Sequence, residues 1–184
     1  MLTYQELLRG SKAFAGGEER DAMYKVATHL VEEFWGKPRD ITDALGVLLL
    51  TWNQALYRYG SFEFDSLEKC LNKNLPSLQQ FRNRGIFSFN ASDKSIITIL
   101  FDDMLEALQT PKGSKSPVAV SKALHLLAPH FFPIWDGKIA RAYHCFWGWS
   151  DLASPKYLDF INKTLVIADE VIQNFINTNG GDQK

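Results

Sequence analysis

The sequence predicts an all-α protein, a two-lobed helical bundle, on three observations. Apolar residues recur at spacings of three and four, most clearly Leu158, Ile161, Leu165, Ala168, Ile172 and Phe175, which form one stripe on a helix. Helix-start chemistry recurs along the chain: Asp40 or Thr42, Ser92 or Asp93, and Ser154 followed by Pro155, a proline whose missing N–H is not needed in a first turn. Period-two alternation is confined to Ile86–Phe89, too short to build a sheet.

Taken in order, residues 19–35 suit an amphipathic helix that stops near Gly36 and Pro38. The next runs from Asp40 or Thr42 to about Tyr59; its first half is apolar on every side, which marks a central helix. Residues 65–83 suit one helix, with a possible break at Pro76, and a helix from Ser92 or Asp93 runs to about Leu108. Residues 118–128, 137–147 and 155–177 supply three more, the last expected to pack back beside the N-terminal helices. The tail from Thr178 reads as frayed.

The 184 residues, 46% hydrophobic and 13% aromatic, are enough for the core of one domain over 1–184. The longest apolar run, Leu45 to Leu50, is too short to span a membrane, and the N-terminus lacks a signal-peptide layout. Cys70 and Cys145 are the only cysteines, which suggests reduced thiols in a cytoplasmic protein and leaves too few ligands for a four-cysteine iron–sulfur cluster. His125, His130, His144 and Cys145 match no standard zinc spacing, so no metal is expected.

A net charge of −1 argues against a generally basic nucleic-acid binder, but the charge is uneven. Residues 112–141 hold Lys112, Lys115, Lys122, Lys138 and Arg141 against one acid, Asp136, giving +4. Such a patch can hold phosphates within a neutral protein, or be a solvated surface. The turn Thr110–Ser116 offers lysines and backbone amides, Gly113 and Ser114 among them, for the same purpose.

Two polar elements interrupt apolar ones. Trp52, Asn53 and Gln54 end the central helix, so the amides either tie core segments together or face a pocket with Trp52 as a stacking surface. Asp136 follows Phe131, Phe132, Pro133, Ile134 and Trp135 and precedes Lys138 and Arg141. It is either an ordinary helix cap or a carboxylate held for chemistry, where the helix end and the two cations favour its anion. Lys122, read in the first turn of its helix, sits where the dipole disfavours an ammonium; it is a nucleophile, a phosphate contact or a solvated charge.

The order of basic turn, short apolar helix, extended Phe132-Pro133-Ile134-Trp135-Asp136 and basic helix resembles the catalytic core of the helix-hairpin-helix DNA glycosylase superfamily over residues 108–147. The hairpin here, "SPVAVS", has no glycine where that family has glycines. The resemblance implies an inter-lobe cleft, a hydrolase acting on double-stranded DNA with a damaged or modified base, and Asp136 as the catalytic acid. It sets Lys122 as a catalytic candidate whose spacing disfavours lyase chemistry. It implies a base pocket from Trp52, Asn53, Gln54, His125 and Trp135, and DNA contacts from Lys112, Gly113, Ser114, Lys115, Lys138 and Arg141. A monomer without cofactor, serving repair or antiviral defence, completes the expectation; the alternative is a non-catalytic DNA- or RNA-binding module of the same fold.

Overall fold

The structure, a computed structural model, describes residues 2–15, 21–148 and 152–179. It is all-helical, with no strand among the described residues. The helices are α1 (Tyr4–Ala15), α2 (Asp21–Glu33), α3 (Pro38–Trp52), α4 (Gln54–Tyr57), α5 (Phe64–Arg82), α6 (Asp93–Ala107), α7 (Pro117–Leu127), α8 (Gly137–Ala142) and α9 (Ala153–Asn179). A 3-10 turn covers Ile86–Ser88, so the one candidate strand is a helical turn.

Helix α3 is the centre, as its composition predicts. Ile41, Ala44, Leu45, Leu48 and Leu49 are each fully buried, and α2, α5 and α7 pack around it. Its start differs from expectation: Pro38 opens the helix, with Lys37 extended before it. Proline suits the first turn, where its missing N–H has no intrahelical partner, so the residue read as a stop is a start. The helix also ends early. Asn53 leaves helical geometry at φ −121°, ψ 35°, and a separate short α4 follows.

Proline 76 lies inside α5 without ending it. Helix α8 stops at Ala142, short of the expected 147, because His144 adopts a left-handed backbone at φ 53°. The Cys145 amide then reaches back to the Ala140 carbonyl at 2.9 Å, closing the helix as a glycine-type terminus without the glycine.

Helix α9 packs on α6 and, farther along, on α1, where Tyr4 and Phe175 meet at 4.6 Å between ring centroids. Of the expected stripe, Ile161 is buried while Ile172 and Phe175 stay exposed; Val171, outside that stripe, is buried instead. The helix continues through Thr178 to Asn179; the rest of the expected tail lies outside the described residues, as do the start of the 19–35 helix and Trp149. The buried apolar residues form one continuous cluster from Ala27 on α2 to Ile161 on α9. No described helix is long and apolar enough to cross a membrane.

Candidate active site

Asp136 is the N-cap of α8. Its Oδ1 accepts from the Lys138 and Ile139 backbone amides, each at 2.8 Å, satisfying two of the donors that a helix start leaves open. The residue is half-buried, and among the described residues no cation lies within ion-pairing distance of it. Lys138 and Arg141 are both exposed. Arg141 folds back over its own helix, its guanidinium 4.2 Å from the Phe146 ring and donating to the Gly137 carbonyl at 3.0 Å. The expectation that these two cations flank the carboxylate is corrected: one caps carbonyl and ring, the other faces water.

What fixes Asp136 lies on α7. Ser121, fully buried, donates through Oγ to the Trp135 carbonyl at 2.8 Å and accepts from the Trp135 amide at 3.1 Å. Trp135 is itself fully buried, with Trp147, Tyr157 and Phe101 around its ring. It cannot line an open base pocket, and that expectation is corrected: the ring is the anchor of the extended segment. Its buried indole N–H has no hydrogen-bond partner among the described residues. Burial pushes the Cys145 thiol up, and the nearby indole tempers the rise.

Lys122 occupies the sixth position of α7, beyond the first turn where it was expected. Its ammonium donates to the Trp52 carbonyl at 2.9 Å and to Asn53 Oδ1 at 2.6 Å, and stands 5.7 Å from the Trp52 ring centroid. The end of α3 carries partial negative charge, so a cation belongs there. Asn53 is buried, and the ammonium satisfies the amide oxygen that a break in the helix puts in the core.

An aromatic stack adjoins this tie. Trp52 stacks on Tyr24 at 5.5 Å, and Tyr24 on His125 at 5.9 Å. His125 Nδ1 lies 2.7 Å from the Phe132 carbonyl and its Nε2 lies 3.2 Å from the Tyr24 hydroxyl. A carbonyl only accepts, so Nδ1 carries the proton and Nε2 accepts from the tyrosine. Burial pushes His125 below the ordinary histidine value, against the Phe132 bond, and nearby His130 adds to the fall. Trp52, Asn53, Lys122 and His125 are thus brought together, while Gln54 is exposed and outside the cluster. Tyr24, which the sequence reading missed, joins Trp52 to His125; in the sequence it is one more apolar-face residue of an amphipathic helix.

Two amides of the basic turn that were expected to face a phosphate are turned inward. The Gly113 amide donates to the Thr110 carbonyl at 2.8 Å, and the Ser114 amide to Thr110 Oγ1 at 3.1 Å. Both amides are spent inside the turn. Lys115 pairs with Glu106, which leaves exposed Lys112 as the available cation of the turn. A hollow of about 280 Å³ beside the turn is lined by Glu63 and Glu106, which repel a phosphate. Among the described residues, no group of three or more histidine, cysteine or acidic side chains could hold a metal ion. No protein-family model matches the chain, and no curated protein or solved structure does either.

Proposed function

We propose that the protein is a monofunctional DNA glycosylase in which Asp136 promotes cleavage of the bond joining a damaged or modified base to its sugar. The observation that carries this reading is the asymmetry of one carboxylate. Asp136 Oδ1 is locked by two amides, no described donor meets its other oxygen, and the preceding residue is anchored in the core. A carboxylate held by one oxygen and open at the other suits a transition state that develops positive charge.

A base stacked in a duplex must be extruded before its sugar can be reached, and the reading requires a cleft between two lobes to receive it. As the base–sugar bond breaks, positive charge builds on the sugar, as in other glycoside cleavages. Asp136 stabilises that charge and orients a water. The water's hydroxyl goes to C1′, and its proton leaves with the departing base. Lys122 is held as an ammonium by two acceptors and a ring, so water is the nucleophile and no strand break follows directly. The Trp52–Tyr24–His125 stack is joined to this machinery through α7, which carries both His125 and Ser121.

The test is product analysis on duplexes carrying oxidised, alkylated, deaminated or phage-type modified bases, with strand breaks scored before and after alkali. The parent releases base and Asp136→Asn does not, while circular dichroism and DNA affinity stay close to those of the parent. Asparagine keeps the capping oxygen and loses only the charge; removing such a preorganised contact costs roughly 100-fold or more in rate. Full excision by Asp136→Asn sinks the mechanism. Salt-dependent DNA binding without excision by the parent would instead make the protein a non-catalytic DNA-binding module.

A further inference from the structure

Away from Asp136, a hollow of about 190 Å³ opens where α2, the end of α5 and the exit of α7 meet; Thr28, Glu32, Arg82, Asn83, Leu127 and His130 help line it. Its central charge is Arg82. The guanidinium carbon lies over the Trp35 ring, 3.9 Å from the centroid, and the Trp35 indole N–H is in turn held by Gln79. Arg82 is half-buried, yet among the described residues it meets no hydrogen-bond acceptor and no carboxylate within ion-pairing distance. Arg84, two residues on, shows the contrast: it grips Asp93 with two bonds of 2.8 and 2.7 Å.

Glu32 lines the same hollow and acts on Arg82 through space without touching it. Burial pushes Arg82 below its ordinary value, and Glu32 opposes that fall. A second polar group is also unmatched. Thr42, Thr51, Thr98, Thr164 and Thr178 each return their hydroxyl to the carbonyl four residues earlier in their helix. Thr28, in α2, does not, and its buried Oγ1 has no partner.

A guanidinium stacked on one face and open along its edge presents parallel N–H donors spaced for two oxygens of one group. Desolvating those donors without a partner is costly, and a bound oxyanion offsets the cost. We propose that this hollow binds a singly charged oxyanion, a carboxylate or phosphate group, on the edge of Arg82. Glu32 sets the charge limit, because it repels a second negative charge at the same place.

The proposal is independent of the glycosylase reading, since its readout is binding. The full chain, labelled with nitrogen-15, is titrated with sodium acetate, with inorganic phosphate and with a duplex oligonucleotide, each against sodium chloride at matched ionic strength. The Arg82 Nε–H and Trp35 indole signals are followed by NMR. Saturable shifts of both with the small anions support a free ligand; saturable shifts with duplex alone support a backbone phosphate on the same guanidinium edge. Arg82→Lys, which keeps the charge and loses the planar edge, weakens binding about tenfold or more, and Glu32→Gln tightens it several-fold. Shifts no larger than the chloride control, or unchanged affinity in Arg82→Lys, overturn the proposal.

Discussion

Replacing Lys122 with methionine keeps most of the stem and removes the ammonium. Two acceptors then lose their donor: the Trp52 carbonyl, held at 2.9 Å, and Asn53 Oδ1, held at 2.6 Å. A hydrogen bond to a charged group contributes about 1.5–3 kcal/mol, and an orphaned buried acceptor costs about 1–3 kcal/mol. Asn53 is 8% exposed, so water cannot replace its donor. Lys122 is half-buried, and solvent screening discounts its share. The expected loss is about 2–3 kcal/mol, most of it from Asn53. Urea denaturation followed by circular dichroism measures it as a lower midpoint at unchanged slope. Asn53→Ala and the double variant complete a cycle, with a coupling of about 1–2 kcal/mol expected for groups in direct contact. Base release, measured well below the unfolding transition, stays near the parent rate. A Lys122→Met protein within about 0.5 kcal/mol of the parent that has lost excision would refute the reasoning, because the lysine would then act on substrate and not on the α3–α4 break.

Asp136→Ala removes the acceptor for two amides at the head of α8 and is expected to cost about 1 kcal/mol of stability by denaturation, with Asp136→Asn costing a few tenths. His144→Gly relieves the left-handed backbone at φ 53° and is expected to stabilise by about 0.5–1 kcal/mol; a neutral or negative result would mean that the His144 side chain contributes more than its backbone strain removes. A Cβ at Gly46 would meet the Phe64 ring at 2.9 Å, so Gly46→Ala gains little alone but about 1 kcal/mol in a Phe64→Ala background, a difference that thermal melts resolve. His125 has a folded value below its unfolded value of about 6.5, so the unfolded chain takes up the proton first as pH falls. Its contribution is intact above the unfolded value and is lost as pH drops through the folded one; His125→Phe flattens that part of the stability–pH curve.

The helices with a strong apolar stripe were legible: α3 declares itself by being apolar on every side. The head of α6 was placed at Ser92, although that side chain makes no capping bond, whereas the cap that Ser116 does supply to α7 was read as part of the turn. What was not legible depended on contacts between distant segments. Helix α1 carries Tyr4 and Leu7 more than a third exposed, a weak stripe that gains meaning through Phe175. Pro38 reads equally as a stop or a start, and only the extended Lys37 decides. The site followed the same rule. Asp136 was legible as a cap because capping is local, and Asn53 as a buried amide because its neighbours are apolar. The destination of Lys122, the burial of Trp135 and the role of Ser121 depend on which helices meet, which no local spacing encodes. The turn at 110–116 misled because the composition of a turn does not say whether its amides face inward.

The two-way link between Ser121 and the Trp135 backbone has a mechanical consequence. The extended segment has no helix or sheet of its own to hold its torsions. Its last residue before the carboxylate is clamped to α7 at donor and acceptor together, so translation and twist are both prevented. Asp136 therefore inherits its coordinates from α7 and not from the short helix it caps. Loosening α8 should blur the carboxylate only slightly, whereas a rotation of α7 by a fraction of a turn would swing it bodily. Ser121→Ala is the change that uncouples the two, and the Trp135 amide proton, otherwise among the last to exchange with solvent, is where that freedom would first register.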